Sequence, residues 1–231
     1  MPSITTGAHI MARAKRQLNE PTGTDEGFWS DADYMNCINE AQEDFVLKTK
    51  CLKTYATFAT DGTNKEYCID ETALANFMDI SEVWFFYAAS TTIYRPLIRV
   101  SRDELVQKES YLRNISADPA YYCYEDRIIE FDTIPTSGDT CRIYYFKMPA
   151  VPAEATTALN LAETPDIPNR FHPALVYYVC WKFTEADDSV SDKLIYFQQK
   201  YAELVGQAMV IEDPAASSYP HIKDAGDMPY V

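Results

Sequence analysis

Apolar residues recur with helical spacing near the start of the chain. Met11, Ala14 and Leu18 are three or four positions apart, which predicts a helix from about Ile4 to Leu18 with its Arg and Lys side chains elsewhere on the surface. A second helix is predicted from Ser30, whose hydroxyl can cap free backbone amides, with Asp33 three residues further on. The apolar stripe of this second helix consists of Tyr34, Ile38, Ala41, Phe45 and Leu52.

The middle of the chain changes to the alternating pattern of β-strands. Segments 55–60 and 65–69 flank an Asp61-Gly62 turn, and together they predict a β-hairpin. A second hairpin is predicted across the turn at 135–139. Its inward-facing residues are Ile129, Phe131, Cys141, Ile143 and Tyr145, which alternate with polar or outward-facing neighbours.

Two further elements are predicted between these hairpins. Segment 80–88 is rich in Val, Trp, Phe and Tyr, and segment 94–100 is expected to return as its partner strand, with Pro96 at a sheet edge. Segment 101–114 is expected to be a short helix, because Ser101 can cap it and Glu104 occupies the capping-box position.

Helical spacing returns in the last third of the chain. Residues 148–168 are rich in Pro, Ala and Thr and are expected to form a connecting strap. A helix that begins at Pro168 is apolar nearly all round, which is typical of a central position. The final helix has an apolar seam made of Val190, Leu194, Phe197, Tyr201, Leu204, Ala208 and Ile211.

These elements predict an α+β fold, in which the terminal helices form a helical bundle and an antiparallel β-rich domain is inserted between them. The expected division is residues 1–52 for the N-terminal helices, 53–150 for the β-rich insertion with its short helix, 151–213 for the strap and two C-terminal helices, and 214–231 for an extended tail.

Composition restricts the classes of function. The chain of 231 residues has 20 Lys and Arg against 35 Asp and Glu, and its formal net charge of −15 disfavours a protein that grips nucleic-acid phosphates. The longest apolar run, 173–181, is shorter than the roughly 18 residues that suggest a membrane span, so no membrane partner is expected. Arg13, Lys15 and Arg16 lie in a polar segment, and we therefore expect no secretory signal peptide.

The sequence contains no motif that supports catalysis, a metal site or a cofactor site. The three histidines, His9, His172 and His221, have no metal-binding spacing, and His172 is expected to satisfy backbone groups at the start of its helix. We therefore predict no catalytic residues, no cofactor and no metal. The cysteines lack a CxxC pair and are expected to be buried reduced thiols: Cys37, Cys51, Cys68, Cys123, Cys141 and Cys180.

The order of these signals resembles the head-to-tail adaptor, or connector, proteins of tailed bacteriophages. The resemblance spans most of residues 4–211 and rests first on the Trp29-Ser30-Asp31 helix start, which leads to Ile38-Asn39-Glu40-Ala41. It continues through Glu66-Tyr67, RIIEFD at 127–132 and CRIYYF at 141–146. Its most characteristic part is IPNRFHPALVYYVCWKF at 167–183, followed by SDKLIYFQQKYAEL at 191–204.

The resemblance implies a non-enzymatic virion structural protein in the neck of the particle, made in the host cytoplasm. Its expected partners are the portal protein, tail or neck proteins, and further copies of the chain in a ring, expected to be a dodecamer. Such a ring extends the channel for genomic DNA, and acidic subunits allow the DNA to pass without specific binding during ejection. The exposed sides of the terminal helices are the candidate subunit contacts, because ring closure needs two different complementary surfaces.

Partner binding is also predicted for the tail, through Tyr219, Pro220, Pro229 and Tyr230. Three other functions stay open at this point. An enzyme would have to use His172 or clustered acids within a pocket, although no motif supports one. A tail-tube or tail-terminator protein is also acidic and ring-forming, although the long terminal helices argue against it. A carbohydrate-binding module would use the tyrosine-rich β region and would show an exposed aromatic platform.

Overall fold

The computed structural model describes residues 6–22, 27–69, 74, 76–86, 94–109, 117–150, 163–187 and 192–212. These residues form helices and mostly antiparallel sheets, which confirms the predicted α+β class. In chain order the elements are α1 (Gly7–Leu18), α2 (Asp31–Thr49), β1 (Lys53–Ala59), β2 (Glu66–Cys68), β3 (Phe77–Phe86), β4 (Tyr94–Pro96), β5 (Ile98–Arg99), α3 (Arg102–Glu109), β6 (Tyr121–Glu125), β7 (Ile128–Phe131), β8 (Thr140–Lys147), α4 (His172–Ala186) and α5 (Asp192–Glu212).

Contacts divide the chain into two units. One unit is drawn from residues 1–51 and 152–231, and the other from residues 52–151. The first therefore contains α1, α2, α4 and α5, which we call the helical unit. The second contains the eight strands and α3, and we call it the β unit.

Side-chain caps fix the starts of the first two helices. Thr6 accepts a hydrogen bond from the His9 amide at 3.3 Å, so the described helix begins at Gly7 rather than at Ile4, which lies outside the described residues. The cap predicted at Ser30 is confirmed, and it forms a reciprocal capping box. Ser30 Oγ accepts from the Asp33 amide at 3.2 Å, and the Asp33 carboxylate accepts from the Ser30 amide at 3.0 Å.

The predicted apolar stripe of α2 was wrong at its last residue. Lys50 adopts the left-handed conformation with φ of 52°, and this ends α2 at Thr49. Leu52 therefore lies beyond the helix, where its carbonyl accepts a hydrogen bond from the Lys147 amide at 3.0 Å. The other four residues of the stripe are buried: Tyr34, Ile38, Ala41 and Phe45.

The helical unit packs around α4, which contacts α1, α2 and α5. This arrangement agrees with the nearly all-round apolarity of α4, whose buried residues include Ala174, Leu175, Val179 and Phe183. A short 3₁₀ turn at Asn169–Phe171 precedes it, so Pro168 caps that turn and does not begin α4 as predicted. Pro173 occupies the early helical position instead, where its missing N–H has no cost.

Lys15 contradicts the expectation that the basic residues of α1 lie on its surface. It is only 4% exposed, and its Nζ lies 2.5 Å from Asp31 Oδ1 and 5.2 Å from the centre of the Tyr34 ring. The apolar stem of a lysine packs well against neighbours, and the paired carboxylate offsets the cost of burying its charge. Periodicity of apolar residues alone does not reveal such a buried cation.

The β unit consists of two four-stranded sheets with a shared core. Sheet A has the order β1-β8-β3-β4, and sheet B has the order β2-β7-β6-β5. The predicted inward-facing residues are all buried: Ile129, Phe131, Cys141, Ile143 and Tyr145. Burying large apolar side chains of this kind stabilises a fold by about 1.5–3 kcal/mol each.

Both predicted hairpins were nevertheless wrong in their pairing. β1 pairs with β8 and β2 pairs with β7, so the two strands around Asp61-Gly62 belong to different sheets. Likewise β7 and β8 lie in different sheets, although a turn connects them. Alternation of apolar and polar residues indicates which face of a strand is buried. Because each sheet buries one face in the same core, strands that do not pair with each other show the same pattern.

The turn at Asp61 connects β1 in sheet A to β2 in sheet B and is held by local hydrogen bonds. The Asp61 carboxylate accepts from the amides of Thr63 and Asn64, both at 2.9 Å, and these bonds lower the pKa of Asp61 below its usual range. Gly62 has a φ of +76°, and a Cβ there would lie 2.7 Å from the Ser137 Cβ. This turn is therefore built on local side-chain bonds rather than on strand pairing.

Other local predictions in the β unit are confirmed. β3 pairs with β4, which places Pro96 on an edge strand of sheet A. The predicted return strand 94–100 is wrong in its second part, because β5 pairs with β6 in sheet B. Ser101 and Glu104 form the expected capping box of α3, with Glu104 Oε2 3.1 Å from the Ser101 amide. The described part of α3 ends at Glu109, and residues 110–116 lie outside the described residues.

A hairpin that the sequence did not indicate joins β6 to β7. Its two turn residues, Asp126 and Arg127, have φ values of 48° and 67°, as in the tight turns that match the twist of a hairpin. Such turns usually contain Gly or Asn-Gly, and because this turn has neither, the sequence gives no hairpin signal here.

Candidate interaction surfaces

His172 is a structural residue in the helical unit. Its side chain is fully buried, and its Nε2 lies 3.0 Å from the carbonyl oxygen of Ile167. The imidazole thus satisfies a backbone group just before α4, as predicted from the sequence. His9 lies on the exposed side of α1, and His221 lies outside the described residues.

The cysteines are free thiols, and most of them are buried. Cys68 contradicts the prediction because it is exposed, since β2 is a three-residue edge strand that leaves this side chain uncovered. Burial raises the pKa of Cys37 and of Cys180 to about 12, which keeps both protonated and poorly nucleophilic near neutral pH.

The described part of the chain contains no group of three or more His, Cys, Asp or Glu residues placed to hold a metal ion. Within the same residues, no helix is both long enough and apolar enough to cross a membrane.

The exposed side of α5 has a long uncharged area, although the chain has a net charge of −15. Six exposed residues on this side contain no charged group, and we call them the outer arc of α5: Ile195, Gln199, Ala202, Gly206, Met209 and Val210. At 3.6 residues per turn they fall within about 100° of the helix circumference and extend over about 22 Å. Lys193, Lys200 and Glu203 lie to one side of this arc, and the exposed Asp192 bounds it at the N-terminal end, one turn before Ile195.

Two features of the outer arc indicate a surface that another protein surface can approach closely. Val210 is 77% exposed, and Ile195 and Met209 are also exposed, at 51% and 43%. A Cβ added at Gly206 would meet nothing within 4 Å, so no described neighbour requires a glycine there. Gly in a helix interior costs about 0.5–1 kcal/mol relative to Ala, and the described contacts do not offset this cost.

The opposite side of α5 is anchored firmly to the helical unit. Phe197, Tyr201, Val205 and Ala208 are buried. The Tyr201 hydroxyl donates a 2.5 Å hydrogen bond to Asp44 Oδ2, and burial together with this carboxylate raises the pKa of Tyr201 well above its usual value. Because this side is fixed on α2 and α4, the outer arc is presented in a defined orientation.

A second surface covers the side of sheet A that faces away from sheet B, and we call it the outer face of sheet A. It carries four aromatic rings and one cation from three adjacent strands: Tyr55, Trp84, Phe86, Tyr144 and the cation Arg142. The Arg142 guanidinium carbon lies 4.7 Å from the ring centres of both Tyr55 and Phe86. Tyr55 is 57% exposed.

Lys53 and Glu82 form an ion pair on this outer face. Lys53 Nζ lies 2.7 Å from Glu82 Oε1, and Trp84 Nε1 donates to Glu82 Oε2 at 2.8 Å. Burial raises the pKa of Glu82, but the hydrogen bonds from Lys53 and Trp84 outweigh it and the net pKa is lowered. Glu82 thus stays ionised and paired with Lys53.

The sequence indicated these surfaces only in part. Five residues of the predicted seam of α5 are buried or half-buried: Leu194, Phe197, Tyr201, Leu204 and Ala208. The seam does not by itself indicate the exposed apolar residues between its positions, although a helical projection of 192–212 separates the two sides. Val190 lies outside the described residues, as do the four residues predicted for partner binding, Tyr219, Pro220, Pro229 and Tyr230.

Comparison with known proteins identifies the family. The family model described as SU10 adaptor protein matches residues 5–222, which include every helix and strand described above. No curated protein matches the chain. The family match confirms the resemblance to phage head-to-tail adaptors that the order of sequence signals indicated. The chain belongs to the SU10 adaptor protein family.

Proposed function

We propose that this phage adaptor protein assembles as a ring, a dodecamer, between the portal and the tail in the neck of the virion. The observation that carries the proposal is the match to the SU10 adaptor protein family over residues 5–222. The chain has a structural role in this proposal, and its partners are the portal protein below the capsid and the tail or neck proteins beyond it. Synthesis takes place in the host cytoplasm before assembly.

The outer arc of α5 is the proposed contact with the neighbouring copy of the chain. A ring interface joins two different surfaces on each subunit, and the fully buried part of such an interface is poor in charged side chains. The arc from Ile195 to Val210 is uncharged, although the chain has a net charge of −15. Gly206 and Ala202 at its centre allow a neighbouring backbone to approach closely.

The acidic composition supports a channel for DNA rather than a DNA-binding surface. A net charge of −15 per subunit repels phosphates, whereas a basic wall would bind the genome by release of counterions. We propose that carboxylates line the channel, within the screening length of about 8 Å from the DNA. Genomic DNA then passes during ejection without specific binding.

One observation bears on a carbohydrate-binding module, namely the aromatic outer face of sheet A. Sugar recognition of this kind needs free ring faces. Arg142 covers the faces of Tyr55 and Phe86, which leaves less of both rings for stacking with a sugar. The structural role is therefore the better supported of the two.

Mixing the purified chain with the portal protein of the same phage tests the ring. We expect the chain alone to be a monomer by native mass spectrometry, and expect twelve copies to join each portal when the two are mixed. The reason is that the portal aligns subunits whose contacts with one another are too weak without it. A chain that stays monomeric beside the portal would contradict the proposal and favour a tail-tube or tail-terminator protein.

The tail is proposed to bind the portal through Tyr219, Pro220, Pro229 and Tyr230. A chain that ends at residue 213 is expected to bind the portal at least about tenfold more weakly, because aromatic anchors often supply much of an interface's energy. Light scattering of the mixture measures the loss, and circular dichroism of the truncated chain verifies that its helices remain. Equal portal binding by the full and truncated chains would refute this role of the tail.

A further inference from the structure

Strand β1 has an unpaired hydrogen-bonding edge. In its antiparallel ladder with β8, Leu52 pairs with Lys147 and Thr60 pairs with Asp139 through backbone hydrogen bonds. Because such pairs alternate along a ladder, Thr54, Ala56 and Phe58 also direct their backbone groups toward β8. The backbone groups of four residues therefore point to the other side of β1, where no described strand lies: Lys53, Tyr55, Thr57 and Ala59.

The other edge strands of the two sheets offer fewer unpaired backbone groups than β1. β4 contains three residues, and Pro96 lacks an N–H on its open side. β2 and β5 contain three and two residues, so few of their groups face outward. β1 has seven residues, contains no proline and has only one charged side chain, Lys53. Proteins usually shorten or charge such an edge, since a long open edge is a template for another strand.

Chemistry next to this edge indicates what kind of strand would fit. Arg142 stands directly opposite Thr57 in the ladder, and Thr57 has a short side chain at the open edge. The Arg142 Nε is buried without a hydrogen-bond partner, and its Nη1 contact with the Tyr144 hydroxyl is long, at 3.4 Å. Among the described residues no carboxylate pairs with Arg142, whereas Lys53 already pairs with Glu82.

We infer that β1 accepts an extended strand from another polypeptide, and that this strand places a carboxylate side chain over Thr57 toward Arg142. Main-chain hydrogen bonds to Lys53, Tyr55, Thr57 and Ala59 supply the affinity, and the carboxylate supplies the selectivity. A second copy of β1 fits this edge less well, because it carries no acidic residue that could pair with Arg142. The inference concerns the β unit and does not depend on ring formation.

The test uses the full ¹⁵N-labelled chain and a synthetic peptide as the probe. The peptide has blocked ends, about seven residues to match the length of β1, alternating threonine and valine, and a glutamate at its centre. Amide hydrogen exchange is measured by NMR with and without it. We expect the peptide to slow exchange at Tyr55, Thr57 and Ala59, while Thr54, Ala56 and Phe58 are already protected in the free chain.

Variants at two positions separate the backbone and charge contributions. Thr57→Pro removes one outward N–H at an edge position where proline is tolerated, and it is expected to abolish the peptide-dependent protection. Thr57→Val keeps the N–H and is the matched control, which should preserve the protection. Arg142→Gln is expected to remove the preference for the glutamate peptide over the same peptide with a central lysine, a preference of about tenfold in the unmodified chain.

Three results would overturn the inference. The first is that neither peptide changes exchange along β1. The second is that Thr57→Pro and Thr57→Val behave alike. The third is that Tyr55, Thr57 and Ala59 are already protected in a dimer of the free chain, in which case a second copy and not an acidic strand occupies the edge. None of these results would bear on portal-dependent ring assembly, which is measured separately.

Discussion

Ala202→Lys is expected to weaken ring assembly on the portal by about 100-fold or more. Ala202 lies at the centre of the uncharged outer arc of α5, between Ile195 and Gly206 on the helix surface. A lysine buried there would lose its hydration without an acidic partner in the arc, and an unpaired buried charge costs several kcal/mol. Each 1.4 kcal/mol corresponds to a factor of about ten in binding, so a loss of this size follows.

Gln207→Lys is the matched control on the same helix. Gln207 is exposed and lies with Lys200 and Glu203 on the polar side of α5. The substitution therefore adds the same charge as Ala202→Lys, but outside the arc. Alanine, glutamine and lysine all have high helix propensity, so both variants should keep α5 folded. Native mass spectrometry of each variant with the portal measures assembly. Equal assembly by both variants would exclude the outer arc as the subunit contact.

The sequence predicted helix starts well because capping depends on neighbouring residues. Ser30 with Asp33 and Ser101 with Glu104 form their caps over three positions, and both are found in the structure. Helix ends were less accurate, since the left-handed residue at Lys50 is neither Gly nor Asn and gives no sequence signal. Local rules therefore work where the determining residues are close in the chain and have the usual identity.

Strand pairing could not be predicted in the same way. Ile129 and Phe131 in β7, and Cys141 and Ile143 in β8, alternate correctly and are buried in one core, yet they lie in opposite sheets. A turn such as that at Asp61-Gly62 can close a hairpin or pass between two packed sheets, and the choice depends on packing over the whole unit. Alternation therefore determines burial but leaves the partner strand open.

The two interaction surfaces differ in how far the sequence predicts them. The outer arc of α5 is visible in a helical projection, because one helix determines its own exposed side. The open edge of β1 depends on the register with β8 and on the order of the sheet. Thr57 and Arg142 are far apart in the sequence, and only the structure places them opposite each other.

Leu175→Ala is expected to lower the free energy of unfolding of the helical unit by about 2–5 kcal/mol. Leu175 is fully buried in α4, which contacts α1, α2 and α5. Removing its side chain loses the transfer free energy of the deleted carbons and leaves a cavity that three neighbouring helices cannot easily fill. The size of the loss thus reports how firmly α4 is held by the helices around it.

Leu47→Ala provides the comparison, because it makes the same chemical change in α2 at a side chain that is 53% exposed. Both positions are inside helices, so the change in helix propensity is the same and only burial differs. We expect Leu47→Ala to change stability by no more than about 0.5 kcal/mol. Urea unfolding followed by far-UV circular dichroism measures the free energy of unfolding of both variants. Similar losses for the two would contradict the central position of α4. The defined orientation of the outer arc of α5 depends on that position.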